Sequence, residues 1–247
     1  MKKIIIRIIR GLRSLNKEAQ MKEIRKIFYS QIFSKNDLVF DLGANMGNRT
    51  SSFLNIGANV VAVEPNPKLA KRLKKKFKKA IVVEKAIGAK KGKVILYLNE
   101  SHVLSTTSKN WIKIAKQSGK FGDLASKFND EVEVEQITIK ELISEYGIPK
   151  FIKIDTEGTE FDIINLLDNN EIGCVSFEFH EFKLKEPKRK SKDILKHLNS
   201  IGYDSFNISF GESMLFAGLD NMSYQELSNL IDVLPISWGD IYAFNNK

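Results

Sequence analysis

The stretch Leu38–Thr50, LVFDLGANMGNRT, constrains the chain more than any other. Leu38, Val39 and Phe40 form a short apolar run of the kind that fills a buried parallel strand, and Asp41 ends it. Gly43 and Gly47 then bracket a tight loop, where glycine alone tolerates positive φ or a close backbone approach. Thr50, Ser51 and Ser52 open a helix that runs through Leu54. A strand, a glycine loop and a helix N-terminus in succession make a nucleotide-sized site at the carboxyl edge of a parallel sheet. Val60–Val63 reads as a second strand. Glu64 stands at its end, about 20 residues past the glycines, where an acid bonds a ribose diol.

The details of the loop bear on which nucleotide it takes. A dinucleotide fingerprint reads G-x-G-x-x-G, so that the backbone and the helix dipole approach a pyrophosphate. Here the pattern is Asp41-x-Gly43-x-x-x-Gly47. An acid before the glycines repels phosphate and suits the ammonium group of a methionine moiety; methionine joined to adenosine through a positive sulfur is S-adenosylmethionine. Taken alone, the loop also fits a bare βα turn or a nicotinamide site.

With the segments downstream, the chain resembles the FkbM family of class I methyltransferases. DLGANMG, VVAVEP, FIKIDTEGTE and VSFEFH carry the resemblance, over roughly Val39 to His180. It implies a Rossmann-like α/β fold, with a mostly parallel seven-stranded sheet and helices on both faces. It implies S-adenosylmethionine as cofactor, bound by Asp41, Gly43, Asn45, Gly47, Glu64, Pro65 and Asp155. The resemblance also implies that Lys85 and Ala86, with Ile87, which follow the apolar run Ile81–Val83, frame the adenine. The activity implied is O-methylation of a hydroxyl on a sugar, a polyketide or another small molecule or glycan.

Composition sets the outer limits. At 247 residues with 43% hydrophobic content, the chain suits one large domain with a full core. The expected division is a helical extension over 1–36 and a methyltransferase domain over 37–247, with an insertion at about 90–136. A net charge of +9 raises RNA or anionic lipid as partners for a basic, non-catalytic protein. Lysine, isoleucine and asparagine are all abundant, as AT-rich coding DNA produces without selection, and this discounts the charge. The most basic helix, Asn66–Ala80, has Leu69, Leu73 and Phe77 on its apolar stripe and no exposed aromatics for stacking, so nucleic acid is not the expected partner. Met1–Leu15 alternates basic and apolar residues, too short for a membrane span and suited to an amphipathic helix, against the domain or on a membrane surface. Cys174 is the sole cysteine, which fits a reducing cytoplasm and excludes a disulfide framework or a cysteine zinc site.

Strand and helix then alternate to the end of the chain. Ile81–Val83, Phe151–Ile154 and Cys174–Phe179 are expected to complete five parallel core strands. Their ends bring Asp41, Glu64, Glu84, Asp155, Glu157, Glu178 and His180 to one rim. Asp155, Glu157 and His180 are the candidate catalytic groups, since methylation of an alcohol needs its proton removed as the new bond forms. A carboxylate there is also able to hold a divalent metal, although no metal site is assigned. Glu160 reads as a first-turn acid on its helix. The segment His102–Phe128 is the least regular and sits where an acceptor lid would lie.

Overall fold

The computed structural model of the chain describes residues 17–180, 187–234 and 238–245, leaving out the side chains of 180 and 187–189. The stretch Met1–Leu15, and with it the expected amphipathic helix, lies outside the described residues. In chain order the first half runs α1 (Lys17–Tyr29), β1 (Leu38–Leu42), α2 (Asn48–Ile56), β2 (Asn59–Val63), α3 (Pro67–Lys76), β3 (Ile81–Val83), β4 (Ala86–Ile87), β5 (Gly92–Asn99) and α4 (Lys109–Ser118). The second half runs β6 (Phe128–Ile137), α5 (Ile139–Tyr146), β7 (Phe151–Ile154), α6 (Glu160–Ile164), β8 (Cys174–His180), α7 (Pro187–Ser200), β9 (Ser205–Phe210), α8 (Tyr224–Val233) and β10 (Trp238–Phe244).

Seven of these strands form one sheet in the order β3-β2-β1-β7-β8-β10-β9. The five strands from β3 to β8 are parallel, and β10 runs antiparallel to both of its neighbours. From β1 the chain winds outward through β2 and β3, then returns to the other side of β1 through β7 and β8. That reversal opens a crevice beyond the carboxyl ends of β1 and β7, where open α/β sheets bind ligands.

Strand alternation divides the core in two. Phe40, Leu42, Ile152, Ile154, Val175 and Phe177 face one way and pack with residues of α5 to α8. Val39, Val60, Phe151, Cys174 and Tyr242 face the other way, under α1 and α2. Phe28, Tyr29, Ile32 and Phe33 drive α1 and its exit turn into that face; the Tyr29 and Phe53 rings meet edge to face at 4.8 Å. The carboxyl end of α1, Phe28 and Tyr29, is thus part of the core on this face of the main sheet. Capping boxes start α5 at Thr138 and Glu141 and α8 at Ser223 and Glu226.

The region 86–137 builds a second sheet, β4-β6-β5, with β5 and β6 antiparallel from Gly92 opposite Gln136. Within it, the segment expected to be least regular contains α4, whose first turn is held by the Ser108 side chain accepting from the Trp111 amide. The helix that Glu160 opens is short and ends at Ile164. No helix among the described residues is long and apolar enough to cross a membrane.

Candidate active site

A cleft of about 220 Å³ opens at the crevice between β1 and β7. Its floor is the loop after β1. Gly43 at φ 85° lets the backbone pass against the carbonyl of Asp155, where a Cβ would stand 1.8 Å from that oxygen. The amides of Gly43 and Ala44 both donate to the carbonyl of Val63, tying the loop to the end of β2. Asn45 also takes a positive φ, 51°, a conformation asparagine tolerates better than most side chains. Gly47 caps α2 at φ 79° and lies against Leu73 and Phe77, beneath the loop.

Of the residues expected to bind a cofactor, Asp41, Gly43, Asn45, Glu64, Pro65, Ala86 and Asp155 line this one cleft. Gly47 and Lys85 do not. Gly47 shapes the loop from behind, and the Lys85 ammonium turns to Glu135 at 3.0 Å on the second sheet. Glu84, expected on the rim, instead pairs with Lys74 at 2.7 Å. Glu157 lines the cleft with Asp155. His180 closes β8 opposite Trp238, its side chain lying outside what the structure describes.

Glu64 is the best-defined member. Its two carboxylate oxygens accept from the amides of Asn45 and Asn66 at 2.7 and 2.8 Å, which fixes the group between two loops. Burial, with a contribution from the nearby Asp41 charge, pushes its pKa up to about 7 against the lowering effect of the two amides. Asp41 accepts a hydrogen bond from the Thr50 hydroxyl. Burial raises its pKa as well, opposed by Thr50, Lys153 and Arg49.

Beneath the rim runs a buried ionic layer. Lys153 is 1% exposed, and its ammonium meets Asp155 at 3.2 Å and Asp240 at 2.9 Å. Burial alone would raise Asp155, but the Lys153 and Arg49 charges outweigh it and hold the carboxyl below its usual range. Glu157 and Glu178 move the other way, both pushed well above the usual carboxylate range by burial and by the acids crowded against them. Glu160 takes no part in the rim: its carboxylate accepts from the amides of Thr156 and Gly158 and from the Thr156 hydroxyl, bracing the turn. That matches the structural role read for it from the sequence.

Arg25, Arg49 and Glu212 complete the wall, and no sequence motif marks them. Arg49 grips Glu212 through two contacts of 3.0 and 2.7 Å across 163 positions of sequence. From the other side, His102, Val103, Ser105, Thr106 and Thr107 border the cleft. The Thr106 hydroxyl donates to the carbonyl of Glu157 at 2.6 Å, and Trp111 packs on Gly158. Among the described residues, six buried side-chain polar atoms lack a partner; three of them, Arg25 Nε, Asn45 Oδ1 and Glu157 Oε2, belong to residues lining this cleft. Unmet polar atoms concentrated in one concave site fit a polar ligand.

Residues 41–205 match the family model of the methyltransferase FkbM domain. No curated protein matches the chain in sequence. Among solved structures, the chain is similar to a precorrin-6Y C5,15-methyltransferase from Geobacter metallireducens GS-15, at 12% identity and a TM-score of 0.44, covering 90% of this chain and 89% of that one. It is similar also to the plantazolicin methyltransferase BpumL in complex with SAH, at 12% identity and 0.46, covering 97% and 90%. A third likeness is to the magnesium protoporphyrin IX methyltransferase ChlM of Synechocystis PCC 6803 with bound SAM, at 9% identity and 0.43, covering 93% and 79%.

Proposed function

The chain belongs to the FkbM methyltransferase family, and on that premise we propose that it uses S-adenosylmethionine to methylate a hydroxyl oxygen of a sugar, a polyketide or a related small molecule or glycan. The observation that carries the reading is that Asp41 and Glu64 line a single cleft together with Ala86, Ile87, Asp155 and Glu157. When bound, S-adenosylmethionine supplies a methyl group already activated by its sulfonium. Glu64 accepts from the ribose diol with the lone pairs its two amide donors leave free. Asp41, Gly43 and Asn45 border the amino-acid end, and Pro65, Ala86 and Ile87 border the base.

The acceptor side falls to Asp155, Glu157 and His180. Asp155 is held ionised beside Lys153, so it is the carboxylate able to receive a hydroxyl proton in the resting protein. Glu157, whose carboxyl burial and the neighbouring Glu178 push well above the usual range, lines the cleft beside it. The transfer forms a carbon–oxygen bond and breaks the carbon–sulfur bond, and the product S-adenosylhomocysteine leaves. Alignment of the two reactants within the cleft is worth roughly 7–11 kcal/mol in reactions of this kind.

S-Adenosylhomocysteine tests the cofactor half. At a hundredfold excess over Kd it should stabilise the protein by about 2.7 kcal/mol, a rise in Tm of about 5–10 °C. Glu64→Ala should lose that rise, and a wild-type protein that shows none contradicts the proposal. Labelled methyl groups traced from the cofactor into hydroxyl-bearing acceptors test the other half; label found on nitrogen or carbon instead would exclude O-methylation.

The raised pKa of Glu64 gives binding a pH dependence. A diol donates to the ionised carboxylate, and the ionised fraction climbs from about one tenth at pH 6 to about nine tenths at pH 8 for a group titrating near 7. S-Adenosylhomocysteine should therefore bind about ninefold more tightly at pH 8 than at pH 6. The stability of the free protein moves oppositely: an acid raised on folding favours the folded state below its unfolded value of 4.5, and that advantage fades as pH rises through 7. Calorimetry on wild type and Glu64→Gln separates the two, because the variant should show neither slope.

A further inference from the structure

β7 and β8 run side by side to the same edge, with Ile154 opposite Phe177 as their last pair in register. Asp155 and Glu178 are each one residue beyond that pair, Asp155 just past the end of β7 and Glu178 still within β8, so they stand at neighbouring positions. Glu157 follows two residues later with φ 56°, and this turn carries its carboxylate back toward the other two. One oxygen from each of the three acids lies within 4.8 Å of the others.

The Asp155 and Glu178 carboxyls share a hydrogen bond across this group. The Lys153 ammonium is divided between Asp155 and Asp240. Lys120, the other cation whose charge reaches Glu157 and Glu178, lies over the rings of Phe121 and Trp238, 5.6 and 5.5 Å from their centres. Asp240 and Glu160 add further negative charge to the surroundings of Glu178. A separate observation points to a ligand: Glu157 Oε2 is sealed from solvent and accepts no hydrogen bond. A carboxylate oxygen closed to water and without a donor is a costly arrangement unless positive charge meets it.

We propose that Asp155, Glu157 and Glu178 form a binding site for one divalent cation of the magnesium or manganese type. The donor set is oxygen alone, which suits hard cations and disfavours zinc, and three carboxylates leave coordination positions for water or an acceptor oxygen. Asp155 and Glu157 also line the cleft, so the cation would stand at its acceptor end. Any part it plays in activating a hydroxyl rests on the methyltransferase reading above; its binding does not.

The experiment titrates Mn²⁺ alone into the cofactor-free protein and follows the free ion by electron paramagnetic resonance. One saturable site per chain, displaced by Mg²⁺, is expected. Glu157→Gln and Glu178→Gln should each weaken it by at least about tenfold, while Asp168→Asn, on an exposed acid paired with Lys140, should leave it unchanged. Stabilisation by S-adenosylhomocysteine, measured in each variant, shows that the fold persists; should one variant not fold, the other carries the comparison. Absence of saturable Mn²⁺ uptake, or equal affinity in wild type and both glutamine variants, overturns the site. Mn²⁺ bound without any response to S-adenosylhomocysteine would instead overturn the cofactor reading and leave the cation site standing.

Discussion

Gly43→Ala should destabilise the protein by about 2–5 kcal/mol and abolish stabilisation by S-adenosylhomocysteine. Two effects add. At φ 85° any L side chain is strained, by about 1–2 kcal/mol. The new Cβ would also stand 1.8 Å from the Asp155 carbonyl oxygen and 2.8 Å from its carbon, an overlap relieved only by moving backbone, at about 1–3 kcal/mol. Retreat is blocked because the Gly43 amide is bonded to Val63 and the Asp155 amide to Leu42. Gly119 provides the comparison: it has φ 66° with nothing within 4 Å, so Gly119→Ala carries the conformational cost without the collision. Urea denaturation of the two variants distinguishes them. Equal midpoints would mean that the loop yields freely and that no close approach is needed there.

Lys153→Met should cost about 3–5 kcal/mol at neutral pH, since it strands two carboxylates that the buried ammonium holds. Methionine fills much the same space, so the loss measures charge rather than a cavity. The deficit should narrow on acidification. Asp155 is held below its unfolded value of 3.8 by Lys153, and the stability this confers is present above that value and disappears as pH falls through the folded one. Lys153→Met combined with Asp240→Asn should be less damaging than the sum of the single changes, because the second removes one of the stranded charges. Strict additivity in denaturation would contradict the proposed sharing of one ammonium.

The parallel sheet and the floor of the cleft were legible for local reasons. Apolar runs ending in acids marked β1, β2, β7 and β8, and the glycines at 43 and 47 marked a turn that other residues strain to make. Thr138 with Glu141 and Ser223 with Glu226 have the local spacing of capping boxes, and they start α5 and α8. Distant pairings left no such trace. The alternation of valine and glutamate at 131–135 is a local pattern, but the joining of β5 and β6 into a separate sheet with Ala86 depends on contacts some 40 residues apart. Arg49 and Glu212 meet across a longer gap, each an ordinary charged residue in its own neighbourhood. Lys153 lies between two isoleucines in a strand read as apolar, and only the sheet brings Asp240 to it. Lys85 and Glu84 followed the right strand, yet surface lysine and glutamate partners drew both away from the cleft.

The seam between Thr106 and the Glu157 carbonyl, together with the seating of Trp111 on Gly158, joins the second sheet's outer segment to the turn that carries Asp155 and Glu157. The two pieces are therefore not interchangeable modules. A graft that replaced 100–127 would remove the hydroxyl and the indole that pack against the left-handed bend at Glu157, so that turn would change along with the segment exchanged. Redesign of this scaffold has to carry residues 106 and 111 along with whatever else it exchanges.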